Sequence, residues 1–178
     1  KRMFAASMLS GASMMAVLLA GSGSATALPA TGACLPQAGP GSQILCSGVF
    51  NETIVIDVDD VTVTLGDGST VNTLGGYATE YGGNAGIVVT GDDATVINRG
   101  TVLTGYGSND YESDIYFDGH HGIAVYANEG DATVENTATG IIGTVADRSF
   151  GIYAVSDWDS PYNQTDVVNA GSISTTGD

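Results

Sequence analysis

Two stretches of this chain align without a gap at a separation of 33 residues. They are Ile54-Val-Ile-Asp-Val-Asp-Asp-Val-Thr-Val-Thr-Leu65 and Ile87-Val-Val-Thr-Gly-Asp-Asp-Ala-Thr-Val-Ile-Asn98. A third copy begins at Gly122-Ile123-Ala-Val125, gains two residues, and resumes as Asp131-Ala-Thr-Val134-Glu-Asn136. A fourth begins at Gly151-Ile152-Tyr-Ala154, gains more, and resumes as Asp166-Val167-Val168-Asn169. Self-similarity at this period marks a stacked architecture, in which one unit buries its apolar face only against the next. The insertions fall between apolar stretches and never inside them.

Within a unit the apolar residues alternate with period two, as expected of half-buried strands. Ile54 and Ile56 share a face, as do Val61, Val63 and Leu65. Stacking the units predicts one column of Ile54, Ile87, Ile123 and Ile152 and another of Val63, Val96, Val134 and Val167. Ile97, Glu135 and Val168 fall in a neighbouring column, and a glutamate is tolerated there only if it points to water. Val96, Val134 and Val167 are therefore assigned to the interior. No segment outside the amino-terminal leader has the i, i+3, i+4 spacing of an amphipathic helix. The fold class is all-β, a parallel β-solenoid of about four to six coils, forming a rod of roughly 20 to 30 Å. Asn98, Asn136 and Asn169 recur after the second strand, where an asparagine suits a tight left-handed corner and can exchange amide hydrogen bonds with its copies. Gly86, Gly122 and Gly151, before each first strand, read as corner glycines.

Charge narrows the partners. The chain has 20 Asp and Glu against 4 Lys and Arg. Lys1 and Arg2 take two of those bases, and no acid precedes Glu52. A nucleic-acid surface is excluded, because phosphate contacts need clustered bases. Lys1-Arg2, the apolar run Met8 to Ala20 and the small residues Ala25-Thr26-Ala27 read as a secretory signal peptide over residues 1–27. The recorded sequence starts on Lys and stops at Asp178 without a terminating element, which reads as cut at both ends. Cys34 and Cys46 are the only cysteines, and in an oxidising compartment they are expected to pair. A metal or nucleophilic role lacks the further ligands or the basic neighbour it needs. Residues 28–50 thus form a disulfide-closed cap, and 51–178 the repeats.

These features together resemble the passenger regions of bacterial autotransporters, the type V secreted surface proteins of Gram-negative cells. The residues that carry the resemblance are the leader, the early pair in the form Cys34-Leu-Pro…Leu-Cys46-Ser-Gly, and repeats of the form Gly-Ile-x-Val…Ala-Thr-Val-x-Asn-x-Gly. The resemblance implies a right-handed parallel β-helix, export by signal peptide, and passage across the outer membrane through a β-barrel downstream of Asp178. It places the chain at the cell surface, the outer membrane or the extracellular medium.

The largest insertion, Gly105 to His121, concentrates Asp110, Glu112, Asp114 and Asp118 with Tyr106, Tyr111, Tyr116 and Phe117. Such oxygen ligands can hold calcium, the one cofactor considered, but the spacing matches neither the helix-flanked twelve-residue loop nor the Gly-rich nonapeptide. The preferred reading is a solvated loop whose tyrosines suit partner contact. A second insertion carries Trp158 among acids, and the two loops are expected to project from one side as a recognition surface. His120 and His121, read as neighbours on a strand, face opposite ways and do not share a metal. Asp118 with His120 lacks a nucleophile elbow, so no catalytic residue is assigned. The expected function is a non-catalytic stalk presenting loops to a host or neighbouring-cell surface molecule or glycan. The alternative is the amino-terminal part of a secreted polysaccharide-degrading enzyme, since two carboxylates suffice for glycoside hydrolysis.

Overall fold

A computed structural model describes residues 32–39, 41–74, 85–105, 120–127, 129–145, 149–156 and 162–176. The leader over 1–27 lies outside these residues, as does the start of the cap. Among the described residues every regular element is a strand, and no helix is long and apolar enough to cross a membrane.

The strands fall into three sheets. Sheet I holds β4 (Ile54–Ile56), β7 (Ile87–Val89), β10 (Ile123–Ala127) and β13 (Ile152–Ser156), side by side in that order. Sheet II holds β1 (Ala33–Gln37), β2 (Ser42–Ser47), β5 (Val61–Leu65), β8 (Ala94–Asn98), β11 (Ala132–Asn136) and β14 (Thr165–Asn169). Sheet III holds β3 (Val49–Phe50), β6 (Thr70–Asn72), β9 (Thr101–Thr104), β12 (Ile141–Thr144) and β15 (Ser172–Thr175). The chain visits sheets I, II and III in turn, so each repeat supplies one strand to each. Every pairing is parallel except β1 with β2. The chain is therefore all-β with parallel sheets, an arrangement compatible with a β-helix or solenoid.

Register follows the sequence columns. Ile54, Ile87, Ile123 and Ile152 are successive partners in sheet I, and Val63, Val96, Val134 and Val167 in sheet II. Strands β5 and β8 alternate between buried and half-buried residues, and Glu135 is exposed between buried Val134 and Asn136. Val167 is 50% exposed, because among the described residues β14 is the last strand of its sheet and its far side has no partner strand. A third column was not expected: Phe50, Val71, Val102, Ile142 and Ile173 stack in sheet III. Val71, Val102 and Ile142 are fully buried there and join the columns of the other two sheets in one core. Each fully buried Val or Ile contributes about 1.5 to 3 kcal/mol by leaving water, so the core grows by a fixed increment with each repeat.

Two strands of the stretch 28–50, β2 and β3, are already members of the parallel sheets, and only β1 runs against its neighbour. Cys34 lies directly opposite Cys46 across that antiparallel pair, and the two form a disulfide. The closed loop restricts the unfolded chain by about 3 kcal/mol in the entropy model. Reduction is accordingly expected to fray β1 alone. In hydrogen-exchange mass spectrometry with and without a phosphine reductant, protection should drop around Gly32, whose N–H bonds to Val49 O at 2.6 Å, while β8 and β11 stay protected. Loss of protection throughout the three sheets would contradict a locally acting staple.

Candidate functional site

The corner between sheets I and II is built from acids. Asp60 and Asp93, each just before a sheet II strand, have left-handed backbone with φ of 48°, and Gly41 occupies the same place before β2 with φ of 66°. Aspartate is among the few residues that enter this region readily. The neighbouring carboxylates then accept hydrogen bonds from the following repeat. Asp59 Oδ1 accepts from Asp92 N–H at 3.1 Å, and Asp92 Oδ1 from Glu129 N–H at 2.7 Å. Asp93 Oδ1 accepts from Asp131 N–H at 3.0 Å, and Asp131 Oδ1 from Gln164 N–H at 2.7 Å. Thr90 Oγ1 donates to Asp57 Oδ1 at 2.8 Å. These carboxylates satisfy backbone donors that leave the sheets at the corner, so part of the acidic composition is structural. The signal was present in the sequence as Asp59-Asp60 and Asp92-Asp93 at equal places in two repeats.

The asparagines exchange amide hydrogen bonds from repeat to repeat, as their recurrence suggested, but they are not corners. Positive φ among non-glycine described residues is confined to Asp60 and Asp93, so Asn98, Asn136 and Asn169 are not left-handed corners. Each ends a sheet II strand, and Asn98 and Asn136 point inward with no exposed surface. Asn98 Nδ2 donates to Asn136 Oδ1, and Asn136 Nδ2 to Asn169 Oδ1, both at 2.8 Å. Gly100 N–H donates to Asn98 Oδ1 at 3.1 Å. The column continues through Leu65 to Cys46, so the same position is polar in later repeats and apolar in earlier ones.

The proposed recognition residues divide differently. Asp110, Glu112, Asp114, Asp118, Tyr106, Tyr111, Tyr116 and Trp158 lie outside the described residues. The attachment points of their loops are described. The first insertion leaves sheet III after Thr104 and rejoins sheet I at Ile123, whereas the second leaves sheet I after Ser156 and rejoins sheet II at Thr165. The two loops are therefore attached at different corners, while the expectation that they project from one side falls on residues outside those described. Among the described residues no group of three or more His, Cys, Asp or Glu is arranged to hold a metal ion.

The outer face of sheet I departs from simple alternation. Val88 and Ala124 are buried on the side away from the core, in a second apolar cluster with Ala85 against which Tyr126 packs. Beside it lies an aromatic group of His121, Phe150, Tyr153 and Tyr126. His120 and His121 precede β10 rather than lying on it, so strand alternation does not apply to them. His121 is buried and its ring stacks on Tyr153, with centroids 4.8 Å apart. The His120 carbonyl accepts from Thr104 Oγ1 at 2.8 Å. Burial, with a contribution from His120, pushes the His121 imidazole down to about 4. Burial, with Tyr153 beside it, pushes the Tyr126 phenol up to about 12. Neither histidine appeared as an interior contact in the sequence, because each occurs once and outside the repeat.

Comparison of the chain with protein-family models, curated proteins and solved structures gave no match. The functional reading therefore rests on its own residues and their arrangement.

Proposed function

We propose that this chain is a non-catalytic passenger segment of an autotransporter, a right-handed parallel β-helix that serves as a stalk and presents loops for adhesion or cell contact. The observation that carries the reading is the pattern of variation. Strands of successive repeats pair in register across three sheets, while every long connection leaves at a corner between sheets. Such a scaffold tolerates loop change without disturbing its core, and loops on a rigid frame are where recognition is usually placed. The acidic carboxylates of the sheet I to sheet II corner are engaged with backbone N–H groups, a structural employment that leaves acid abundance a poor argument for catalysis.

In this reading the leader exports the chain, a barrel further along the full-length protein anchors it at the outer membrane, and the partner is a surface molecule or glycan of a host or neighbouring cell. An excess of negative charge discourages nonspecific association with anionic surfaces. The test is attachment to cells by the exported chain with and without residues 106–119. Deletion is expected to lower attachment at least about ten-fold, the loss of roughly 1.4 kcal/mol or more of binding free energy, with the β-type circular dichroism spectrum unchanged. Equal attachment by the two forms would remove the display role from this loop.

A further inference from the structure

His121 combines burial with an aromatic stack and a hydrogen bond that only one protonation state can make. It is 4% exposed. Its Nδ1 accepts the N–H of Phe150 at 3.1 Å, which fixes the neutral tautomer with the proton on Nε2. The ring lies 11° from parallel with Tyr153 and 36° from Phe150. Phe150 and Tyr153 flank the start of β13 in the fourth repeat, whereas His121 precedes β10 in the third. The imidazole thus ties one repeat to the next, next to the ladder bonds from Gly122 N–H to Phe150 O and from Ile123 N–H to Gly151 O, both at 3.0 Å.

Protonation opposes the hydrogen bond and the burial. An imidazolium carries N–H on both nitrogens, so its Nδ1 proton would face the Phe150 N–H, donor against donor. The charge would also be buried. Among the described residues the titratable groups beside the ring are His120 on the same connection and Tyr153 on β13, with Tyr126 on β10 packed on the far side of Tyr153. Tyr126, its phenol pushed up to about 12 by burial, is neutral at the pH values concerned, and His120 adds repulsion when charged. We propose that His121 is an acid-sensitive clasp: neutral, it docks the fourth repeat on the third, and protonated, it releases residues 149–156 from the edge of β10. This inference does not depend on the stalk reading.

The sign of the effect follows from linkage. In the docked state the His121 pKa is depressed to about 4, while in the released segment it returns to the ordinary value near 6.5. Docking is therefore fully favoured above that ordinary value and weakens as pH falls from about 6.5 towards 4. Reference carboxylate pKa values lie below the ordinary histidine value, so a loss of docking that sets in between pH 7 and 5 falls in the range of an imidazole rather than of the acids.

The experiment is NMR hydrogen exchange on the full chain, corrected for the intrinsic pH dependence of exchange. The opening constant at the Phe150 amide is expected to rise about twenty-fold from pH 7 to pH 5. The Arg99 amide, bonded to Leu65 O between the first and second repeats, should not change. His121→Phe keeps a ring in the stack but removes the titration, and should flatten the Phe150 profile, while His120→Gln should retain most of the rise. A flat wild-type profile, or the same rise in H121F, overturns the proposal. Should H121F not fold, nitrogen-15 shifts of the wild-type His121 ring decide the matter, and a midpoint at the ordinary histidine value is equally fatal.

Discussion

Alanine at position 136 is expected to destabilise this chain by about 3 to 4 kcal/mol, far more than the loss of one polar side chain at a surface. Asn136 has no exposed area and stands in the middle of the amide ladder, accepting from Asn98 and donating to Asn169. Truncation would leave the Asn98 amide donor buried without an acceptor, a penalty of about 1 to 3 kcal/mol. A cavity would add to it. Removing both partners together is different. Leu65 fills the same column one repeat before Asn98, fully buried, so the position accepts an aliphatic residue of this size. The double variant Asn98→Leu with Asn136→Leu is therefore expected to be more stable than Asn136→Ala alone, because it leaves neither a buried side-chain amide nor a cavity, and only the Gly100 N–H loses its acceptor. Asn169, at the exposed end of the ladder, can turn its carbonyl to water. Urea denaturation of the three proteins measures the order. If Asn136→Ala unfolds within about 1 kcal/mol of wild type, the ladder is ornamental.

How much of this could be read beforehand depended on how many inward residues each strand carries. Sheet II strands carry two or three, as with Val61, Val63 and Leu65, so alternation together with the alignment of the repeats and the glutamate at 135 set their facing and register. Sheet III strands are short and set among Thr, Ser and Gly, with a single aliphatic residue in the stacked column: Val71, Val102, Ile142 or Ile173. One residue has no period. The usable sign was a glycine two places earlier, in Gly100-Thr-Val102, Gly140-Ile-Ile142 and Gly171-Ser-Ile173. The Asn ladder was legible because identical residues recurred at equal spacing, yet its inward direction was not, since asparagine is common at corners for backbone reasons. His121 was illegible for the opposite reason. A contact between one histidine and Phe150 and Tyr153 repeats nowhere, so only the fold brings them together.

Gly122→Ala is expected to cost about 3 kcal/mol or more, lowering the melting temperature by about 10 °C. The sequence suggested a glycine needed for backbone freedom, but its φ is not in the left-handed region. Space is the reason. A Cβ at Gly122 would collide with Ile142 Cγ2 of its own repeat and lie 2.5 Å from Gly151 O of the next. Gly86 meets Val102 and Gly151 meets Ile173 in the same way, so this glycine is where the sheet III column fills the corner into sheet I. Ile142 cannot retreat, being fully buried among its neighbours in a core that resists overpacking. Gly68 offers the matched control. Its φ is +72° and nothing lies within 4 Å of a Cβ built there, so alanine at position 68 meets only the left-handed backbone penalty of about 1 to 2 kcal/mol. Pairing Gly122→Ala with Ile142→Leu should recover part of the loss, because it removes the Cγ2 methyl that the new methyl meets while keeping the volume of the side chain. The same pairing should do nothing for Gly68→Ala. Thermal melts of these four proteins separate crowding from backbone strain, and a Gly122→Ala protein that melts with the wild type would mean the corner is not packed by Ile142 at all.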